Sequence, residues 1–195
     1  MDRRRALLTA SGVIPNNEVW YISGDGQIIK PYRTGVFGAN IVSNTYANGK
    51  GVIVFDSAII GVGSYAFYNR TQLINIVLPN GITSIGDSAF YACDNLTSVT
   101  IPNSVTSIGD SAFLGCYDLA TITIPNSVTK IGITAFYSCS TLTDVICKPT
   151  TPPTGGYDMF AYISSNAKIY VPAGSGNAYK TAQYWSNYAS KIVEQ

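Results

Sequence analysis

Three of the four cysteines are spaced so that they could do chemistry together. Cys93, Cys116 and Cys139 are each 23 residues apart, and a repeating fold would stack them about 5 Å from one another, near the Cα separation of a disulfide. Three stacked residues cannot all pair, and their side chains would point the same way. A metal site is the least favoured interpretation, because the chain has no histidine and no CxxC pair. We predict a column of buried free thiols, with one disulfide as the alternative.

Carboxylates are the other groups that could do chemistry. Asp87 and Asp110 share the 23-residue spacing and would lie near one another, but at exposed rather than buried positions. Without histidine, a Ser-His-Asp triad is excluded, and neither a GxGxxG motif nor a P-loop occurs. We therefore predict no catalytic residues, no cofactor, no metal ligands and no enzyme activity.

The elements that must position these side chains follow the same period. A phenylalanine recurs every 23 residues, at Phe67, Phe90, Phe113 and Phe136. Each is accompanied by fixed columns of glycine, alanine and leucine and by an apolar pair nine and eleven residues later. Within one unit, residues 98–101 alternate between polar and apolar as a short half-buried strand does, and Pro102 ends it. A period of this size predicts a solenoid, in which one supersecondary unit stacks on copies of itself. The glycine column indicates a tight bend or special backbone angles.

Residues 96–113, LTSVTIPNSVTSIGDSAF, closely resemble the BspA-like leucine-rich repeat. The resemblance covers roughly residues 52–147. The later segments IYVPAGS (169–175) and AYK (178–180) are similar to the C-terminal end of this family. The resemblance implies a bacterial or bacteriophage source, a right-handed solenoid and a surface-associated binding or adhesion role. It implies no catalytic residues, because the family motif is structural.

We divide the chain into three regions. Residues 1–50 lack the repeat and are predicted to be a β-hairpin cap, an attachment region that docks onto a larger assembly, or both. Residues 51–147 are the repeats, and residues 148–195 are a degenerate last repeat followed by a capping helix over 175–193. The predicted fold is a right-handed leucine-rich-repeat β-type solenoid with an N-terminal β cap and a C-terminal capping helix.

Two hairpins are predicted in the N-terminal region. The first would pair residues 19–23 with residues 27–32 around Gly24-Asp25-Gly26. The second would turn at Asn48-Gly49, a strong type I′ signal. It leads into a strand in which Ile53 is already in register with Ile76, 23 residues later.

Two sets of repeated side chains could form a binding surface. The candidate residues are Tyr68, Tyr91, Tyr117, Tyr137, Thr100 and Thr123. Aligned tyrosines can stack on sugars or anchor a protein partner, and a flat ladder of threonine hydroxyls suits carbohydrate or, in the extreme, ice. The alternative for the tyrosines is that they only cover the core. The alternative for the threonines is that a β-branched residue simply fits an exposed strand.

Composition narrows the class of partner. The net charge is +1 and only 12% of residues are charged, about half the usual share, so nucleic acid is not an expected partner. Membrane insertion is not expected either, because no apolar run reaches the ~18 residues that a span needs. We expect a partner that is a protein or a glycan on a surface.

The N-terminus carries no clear signal peptide. The basic cluster at residues 3–5 precedes an apolar run that is too short for export. We therefore expect a virion-associated or cytoplasmic protein, with the cell surface as the alternative location. The leading hypothesis is a non-enzymatic binding or adhesion module. The alternative is a structural phage virion component, tail- or capsid-associated, docked through residues 1–50.

Overall fold

The computed structural model describes residues 14–195, which form a β-solenoid of about six turns closed by a C-terminal helix. The strands, in chain order, are β1 (Glu18–Ser23), β2 (Ile41–Ala47), β3 (Lys50–Phe55), β4 (Gly61–Val62), β5 (Leu73–Val77), β6 (Ser84–Ile85), β7 (Ser98–Thr100), β8 (Ser107–Ile108), β9 (Thr121–Ile124), β10 (Lys130–Ile131), β11 (Asp144–Cys147), β12 (Lys168–Val171) and β13 (Ile192–Glu194). Helix α1 (Gly176–Thr181) and a 3₁₀ helix (Trp185–Lys191) lie between β12 and β13. The predicted solenoid with its two caps is confirmed.

Each coil of the solenoid has three sides. The longer strands make one side, in the orders β2-β3-β1-β5-β7 and β9-β11-β12-β13, and we call its outward surface the long-strand face. The short strands β4, β6, β8 and β10 pair in parallel on the second side, the short-strand side. The turns that carry the phenylalanines make the third, the turn side. Residues 23 apart pair directly on neighbouring strands, as Ile76 does with Val99.

The phenylalanines form one stacked column through the centre. Ring centroids of successive residues from Phe67 to Phe160 are 5.4, 5.1, 5.2 and 5.2 Å apart, with planes within 12° of parallel. Differently oriented rings end the column. Phe37 meets Phe67 edge-on at 5.9 Å, and Tyr188 meets Phe160 edge-on at 5.8 Å. The column therefore extends one coil beyond the regular repeat and is closed at both ends by aromatic contacts.

The glycine column has a different cause from the predicted one. Its members do not have positive φ angles. A Cβ on Gly86 or Gly109 would lie 2.6 Å from a backbone nitrogen of the preceding coil, so glycine is needed for close approach. The left-handed angles fall on residues two before and two after each phenylalanine, for example Ser111 at φ 53° and Gly115 at φ 73° around Phe113.

The N-terminal cap differs from the sequence prediction in its strand pairing. The turn at Asn48-Gly49 is confirmed, since both residues have positive φ and join the antiparallel strands β2 and β3. The first predicted hairpin is wrong. Strand β1 pairs with β3 on one edge and β5 on the other, which leaves no edge for residues 27–32. That segment is held by side chains instead, because the Ile29 N–H donates to the Tyr21 hydroxyl at 3.1 Å.

Strand β1 also changes the expected register at the start of the solenoid. It lies between β3 and β5, so Ile53 and Ile76 are not on adjacent strands. Val19 pairs with Ile53 and Tyr21 with Ile76. The antiparallel β1 thus covers the open edge of the first repeat strand. The boundaries placed at residues 50 and 147 stay a prediction.

The C-terminal segment is helical only in part. Helix α1 is followed by Tyr184 at φ 64°, where the chain turns into the 3₁₀ helix. The last residues then form β13, which pairs in parallel with β12. The predicted helix over 175–193 is therefore interrupted, because residues 192–194 supply backbone partners to the open edge of β12.

The Pro-rich detour of residues 148–156 anchors this cap. Its carbonyl groups accept hydrogen bonds from two buried aromatic side chains. The Tyr179 hydroxyl donates to the Pro149 carbonyl at 2.8 Å, and the Trp185 indole N–H donates to the Pro153 carbonyl at 2.7 Å. Proline carbonyls are free for this role because proline bends the segment away from the sheet ladder.

Replacement of Phe113 by alanine tests the stacked column. Its side chain is fully buried between two parallel rings, so the cavity should lower the free energy of unfolding by ~3–5 kcal/mol. The measurement is urea denaturation, with the exposed Thr123→Ala as a control that should change it by less than about 0.5 kcal/mol. A loss below ~1 kcal/mol for Phe113→Ala would mean that the column does not carry the core.

Replacement of Glu194 by glutamine tests how β13 is attached. Hydrogen bonds from the Gly174 and Gly176 N–H groups, at 3.1 and 2.6 Å, lower the pKa of the Glu194 carboxyl. A lowered folded-state pKa gives stabilisation that is present above the unfolded pKa of about 4.3 and is lost as the pH falls through the folded value. We expect Glu194→Gln to lower Tm at pH 7 and the difference from the unmodified protein to narrow towards pH 3. The control is Asp118→Asn, whose carboxylate has no hydrogen-bond partner within residues 14–195. A Tm difference that stays constant with pH would contradict the assignment.

Candidate functional site

One row of outward side chains runs across nine strands of the long-strand face. Direct pairing links its members within each group of strands, and Thr123 follows Thr100 by one period. In spatial order the row is Thr45, Val52, Trp20, Val77, Thr100, Thr123, Ile146, Tyr170 and Val193. All nine are partly or fully exposed, whereas most of their neighbours along the strands, such as Ile53, Ile76 and Val145, are buried in the core. The row thus forms the outward surface of the long-strand face.

Two of the predicted binding residues lie at the centre of this row. Thr100 and Thr123 are exposed, and their hydroxyls take part in no hydrogen bond among the described residues. Threonines on the short-strand side behave differently. The hydroxyls of Thr83, Thr106 and Thr129 each donate to a carbonyl of the preceding coil, at 3.1–3.2 Å. The hydroxyls of Thr83, Thr106 and Thr129 therefore support the fold, whereas those of Thr100 and Thr123 do not bond within the described residues.

Trp20 belongs to this face and was not predicted from the sequence. Its indole N–H donates to Glu18 Oε2 at 2.6 Å, and the Lys50 ammonium lies 3.8 Å from its ring centroid. Trp20 pairs with Val77 across β1 and β5, which places a half-buried aromatic ring beside the threonines. Only the antiparallel insertion of β1 brings it there. Ile146 was also missed, although its position one period after Thr123 was a signal that could have found it.

The predicted tyrosines lie on the turn side and do not form one continuous ladder. Tyr68 and Tyr91 stack with centroids 4.9 Å apart and planes 12° from parallel. Leu114 takes the next position, and Tyr137 packs against Tyr162 at 62° instead. The structure therefore brings together only the first two members of the set.

Tyr117 is separate from these pairs. It is 49% exposed and follows the turn of its coil, where its N–H donates to the Gly115 carbonyl at 2.9 Å. The six predicted residues are thus divided between two sides of the solenoid, and Thr100 and Thr123 lie on a different side from all four tyrosines.

Arginine side chains accompany the tyrosines at the N-terminal end of the turn side. The Arg33 guanidinium lies 5.0 Å from the Tyr65 ring centroid, and that of Arg70 lies 5.5 Å from Tyr32. Arg70 also donates from Nε to the Lys30 carbonyl at 2.6 Å. Tyr32 and Tyr65 remain 55% and 37% exposed. These contacts give the turn side a local cation–π cluster.

The cysteines form the predicted thiol column and are free rather than disulfide-bonded. Each of the three donates from Sγ to the carbonyl of a core phenylalanine in the preceding coil, at 3.1–3.2 Å. Burial raises the pKa of Cys93 and Cys139 to about 12 and raises that of Cys116 strongly. Cys147 is also buried, and its pKa is likewise raised to about 12 by burial. A neutral, buried thiol cannot act as a nucleophile at ordinary pH.

The carboxylates at Asp87 and Asp110 serve the backbone of the next coil. Asp87 Oδ1 accepts from the Asp110 N–H at 2.9 Å, and Asp110 Oδ1 accepts from the Ile133 N–H at 2.8 Å. Their regular spacing therefore has a structural explanation.

Across residues 14–195, histidine, cysteine and acidic side chains nowhere gather in a group of three that could hold a metal ion. In the same part of the chain, no helix has the length and apolar character of a membrane span.

Parallel strands spaced by 23 residues around a stacked phenylalanine core define a leucine-rich-repeat solenoid. The model of the BspA type leucine rich repeat region matches six copies over residues 58–188, so the chain belongs to this family. Comparison with the curated proteins found no match.

Solved structures support the same fold. A leucine rich repeat protein of T. pallidum is 26% identical, with a TM-score of 0.57 over 71% of this chain and 63% of that one. A leucine rich cell surface protein of Faecalibacterium prausnitzii is 24% identical, with a TM-score of 0.58 over 66% of this chain and 33% of that one. The likeness to the second protein is one of fold alone. This chain spans less than two thirds of the length of either protein.

Thiol reactivity tests the burial of the cysteines. In the folded protein at pH 8, we expect Ellman's reagent to detect no thiol within minutes, because all four are buried and neutral. In denaturant, the same assay should detect four. A thiol that reacts promptly in the folded protein, or a count below four after unfolding without reductant, would contradict the free and buried column.

Proposed function

We propose that this chain is a non-enzymatic binding or adhesion module that presents its long-strand face to a protein or glycan. The observation that carries the proposal is the unequal use of threonine hydroxyls on two sides of the same coils. Thr83, Thr106 and Thr129 are bonded within the fold, whereas Thr100 and Thr123 are exposed without such bonds. Two free hydroxyls on neighbouring coils match a partner that has polar groups of its own.

Charge on this face favours a partner that is close to neutral. The outward residues of the central strands are uncharged, and the ionic side chains at its ends have opposite signs. Lys50 lies near Glu18 across the Trp20 ring, and Asp144 pairs with Lys168 on adjacent strands. This face has no net positive electrostatic potential that would attract nucleic acid or an anionic membrane surface.

The family supports a role in binding, and one structural relative bears the description of a cell surface protein. A surface location for this chain is part of the proposal. The alternative of a virion component docked through residues 1–50 stays a prediction that no relative favours.

Two threonine-to-arginine variants test which face binds. The unmodified protein is first applied to an array of purified proteins and glycans to obtain a partner. For that partner, we expect Thr123→Arg to lower the affinity at least tenfold, because the new side chain projects from the centre of the row. Thr106→Arg is the matched control on the short-strand side and should change the affinity less than twofold.

A third variant, Tyr91→Lys, tests the stacked tyrosines of the turn side. If Tyr91→Lys abolishes binding and Thr123→Arg does not, the turn side is the binding surface and the assignment of the long-strand face is wrong. If no protein or glycan on the array binds, the proposed binding function itself is contradicted.

A further inference from the structure

The long-strand face is opened at one place. Strands β5 and β7 are paired, and so are β9, β11, β12 and β13, but no ladder joins β7 to β9 within the part of the chain that the structure describes. The same two coils stay together on their other sides. Ser107 pairs with Lys130 on the short-strand side, and on the turn side the Phe113 N–H donates to the Ala135 carbonyl at 2.7 Å. The opening is therefore local to one face.

The opening coincides with a change of residue type at one position of the repeat, from threonine to alanine. At the start of the long strands, Thr97 donates from both its N–H and its hydroxyl to the Ile74 carbonyl, at 2.9 and 3.0 Å. Thr143 does the same to the Ala120 carbonyl, at 2.9 and 3.3 Å. Ala120 is the intervening member of this column. It has no hydroxyl, and within residues 14–195 its N–H makes no bond to the Thr97 carbonyl. The clamp that joins β5 to β7 and β9 to β11 is thus missing between β7 and β9.

The opening forms a cleft of about 400 Å³, which lies in the size range of small-molecule sites. Val77, Val99 and Ile101 supply its apolar surface. Val99 and Ile101 are 8% and 7% exposed, whereas the equivalent Ile122 on the next coil is 1% exposed. The cleft therefore reaches the edge of the core rather than lying only on the surface.

Part of the polar lining of the cleft lacks hydrogen-bond partners within the described residues, although Thr97 and Ser98 have them. Asn75 Nδ2 donates to the Ser98 hydroxyl, but Asn75 Oδ1 is the one buried side-chain oxygen or nitrogen without a hydrogen bond among the described residues. A buried acceptor without a donor costs free energy. The hydroxyls of Thr100 and Thr123 also line the cleft. None of the lining residues is charged.

An inserted peptide strand does not fit this opening. A strand placed between β7 and β9 would need about twice the ordinary strand spacing of ~4.8 Å. The coils cannot separate that far, because Phe113 and Phe136 are stacked at 5.2 Å and the Thr129 N–H donates to the Thr106 carbonyl at 2.8 Å. The occupant must be small, uncharged, rich in hydrogen-bond donors and partly apolar. A sugar ring has this combination of hydroxyl groups and C–H surface.

We propose that the cleft between β7 and β9 binds one ring of a neutral saccharide, whose hydroxyl groups form hydrogen bonds with the exposed hydroxyls of Thr100 and Thr123. The proposal rests on the binding function proposed above and names the ligand class for the centre of the same face. Thr100 and Thr123 border the ring on its two sides, and Val99 and Ile101 contact its C–H surface.

The experiment uses the full chain with methyl glycosides of glucose, galactose, mannose and N-acetylglucosamine. Binding is measured by saturation-transfer NMR and titration. We expect at least one glycoside to bind, Ala120→Thr to weaken that binding at least tenfold by restoring the clamp, and Thr100→Ala to weaken it at least tenfold by removing a hydroxyl that contacts the sugar. Ala47→Thr, the same substitution at an exposed position of β2, should leave binding within twofold.

Hydrogen exchange checks the cleft without any ligand. The Ala120 amide should exchange faster than the Thr143 amide in the unmodified protein, and Ala120→Thr should slow exchange at position 120 while the melting curve stays cooperative. Failure of all four glycosides to bind would overturn the proposal. So would binding that survives both Ala120→Thr and Thr100→Ala. If the glycosides fail but an array partner is still lost with Thr123→Arg, the saccharide site is wrong and the binding function stands.

Discussion

The structure depends on one constraint: each coil must lie one strand spacing from the next on three sides at once. Backbone ladders set that spacing at about 4.8 Å, and the phenylalanine rings stack at 5.1–5.4 Å. Because a coil is held on all sides, a bulky residue in one column would separate the other two as well. Gly86 and Gly109 illustrate the limit, since a single Cβ there would collide with the backbone of the preceding coil. The stability of such a solenoid is therefore shared between neighbours.

Most of the side chains that could have done chemistry are used to keep this spacing. Cysteine thiols donate to phenylalanine carbonyls, aspartate oxygens accept from backbone N–H groups, and threonine hydroxyls of the short-strand side donate to carbonyls of the coil before. Buried or partly buried polar groups need such partners. The surfaces proposed for a partner molecule are the outward row of the long strands, where the hydroxyls of Thr100 and Thr123 make no hydrogen bond within residues 14–195, and the cleft where the ladder is interrupted. Function on this scaffold is left to the positions that the repeat does not require.

The candidate site was only partly predictable from the sequence, because some of its residues follow local patterns and others depend on long-range strand pairing. The two threonines follow from period-two alternation within strands and the 23-residue repeat, both of which are local patterns. Trp20 was missed because its place depends on the pairing of β1 with β3 and β5, which brings together residues more than thirty positions apart along the chain. The interruption of the tyrosine column at Leu114 follows from the sequence, but the packing of Tyr137 against Tyr162 of the following coil does not.

The sequence by itself determined the period, the core columns, the type I′ turn at Asn48-Gly49 and the burial of the thiols, because each of these follows from residue types at fixed local spacing. Only the tertiary structure decided that β1 enters the sheet antiparallel, that the C-terminal segment ends as strand β13, and that the face opens beside Ala120. These outcomes depend on which open strand edge or unpaired carbonyl a distant segment reaches. Such competition is settled by hydrogen bonds that form only once the coils are stacked, and no local pattern encodes it.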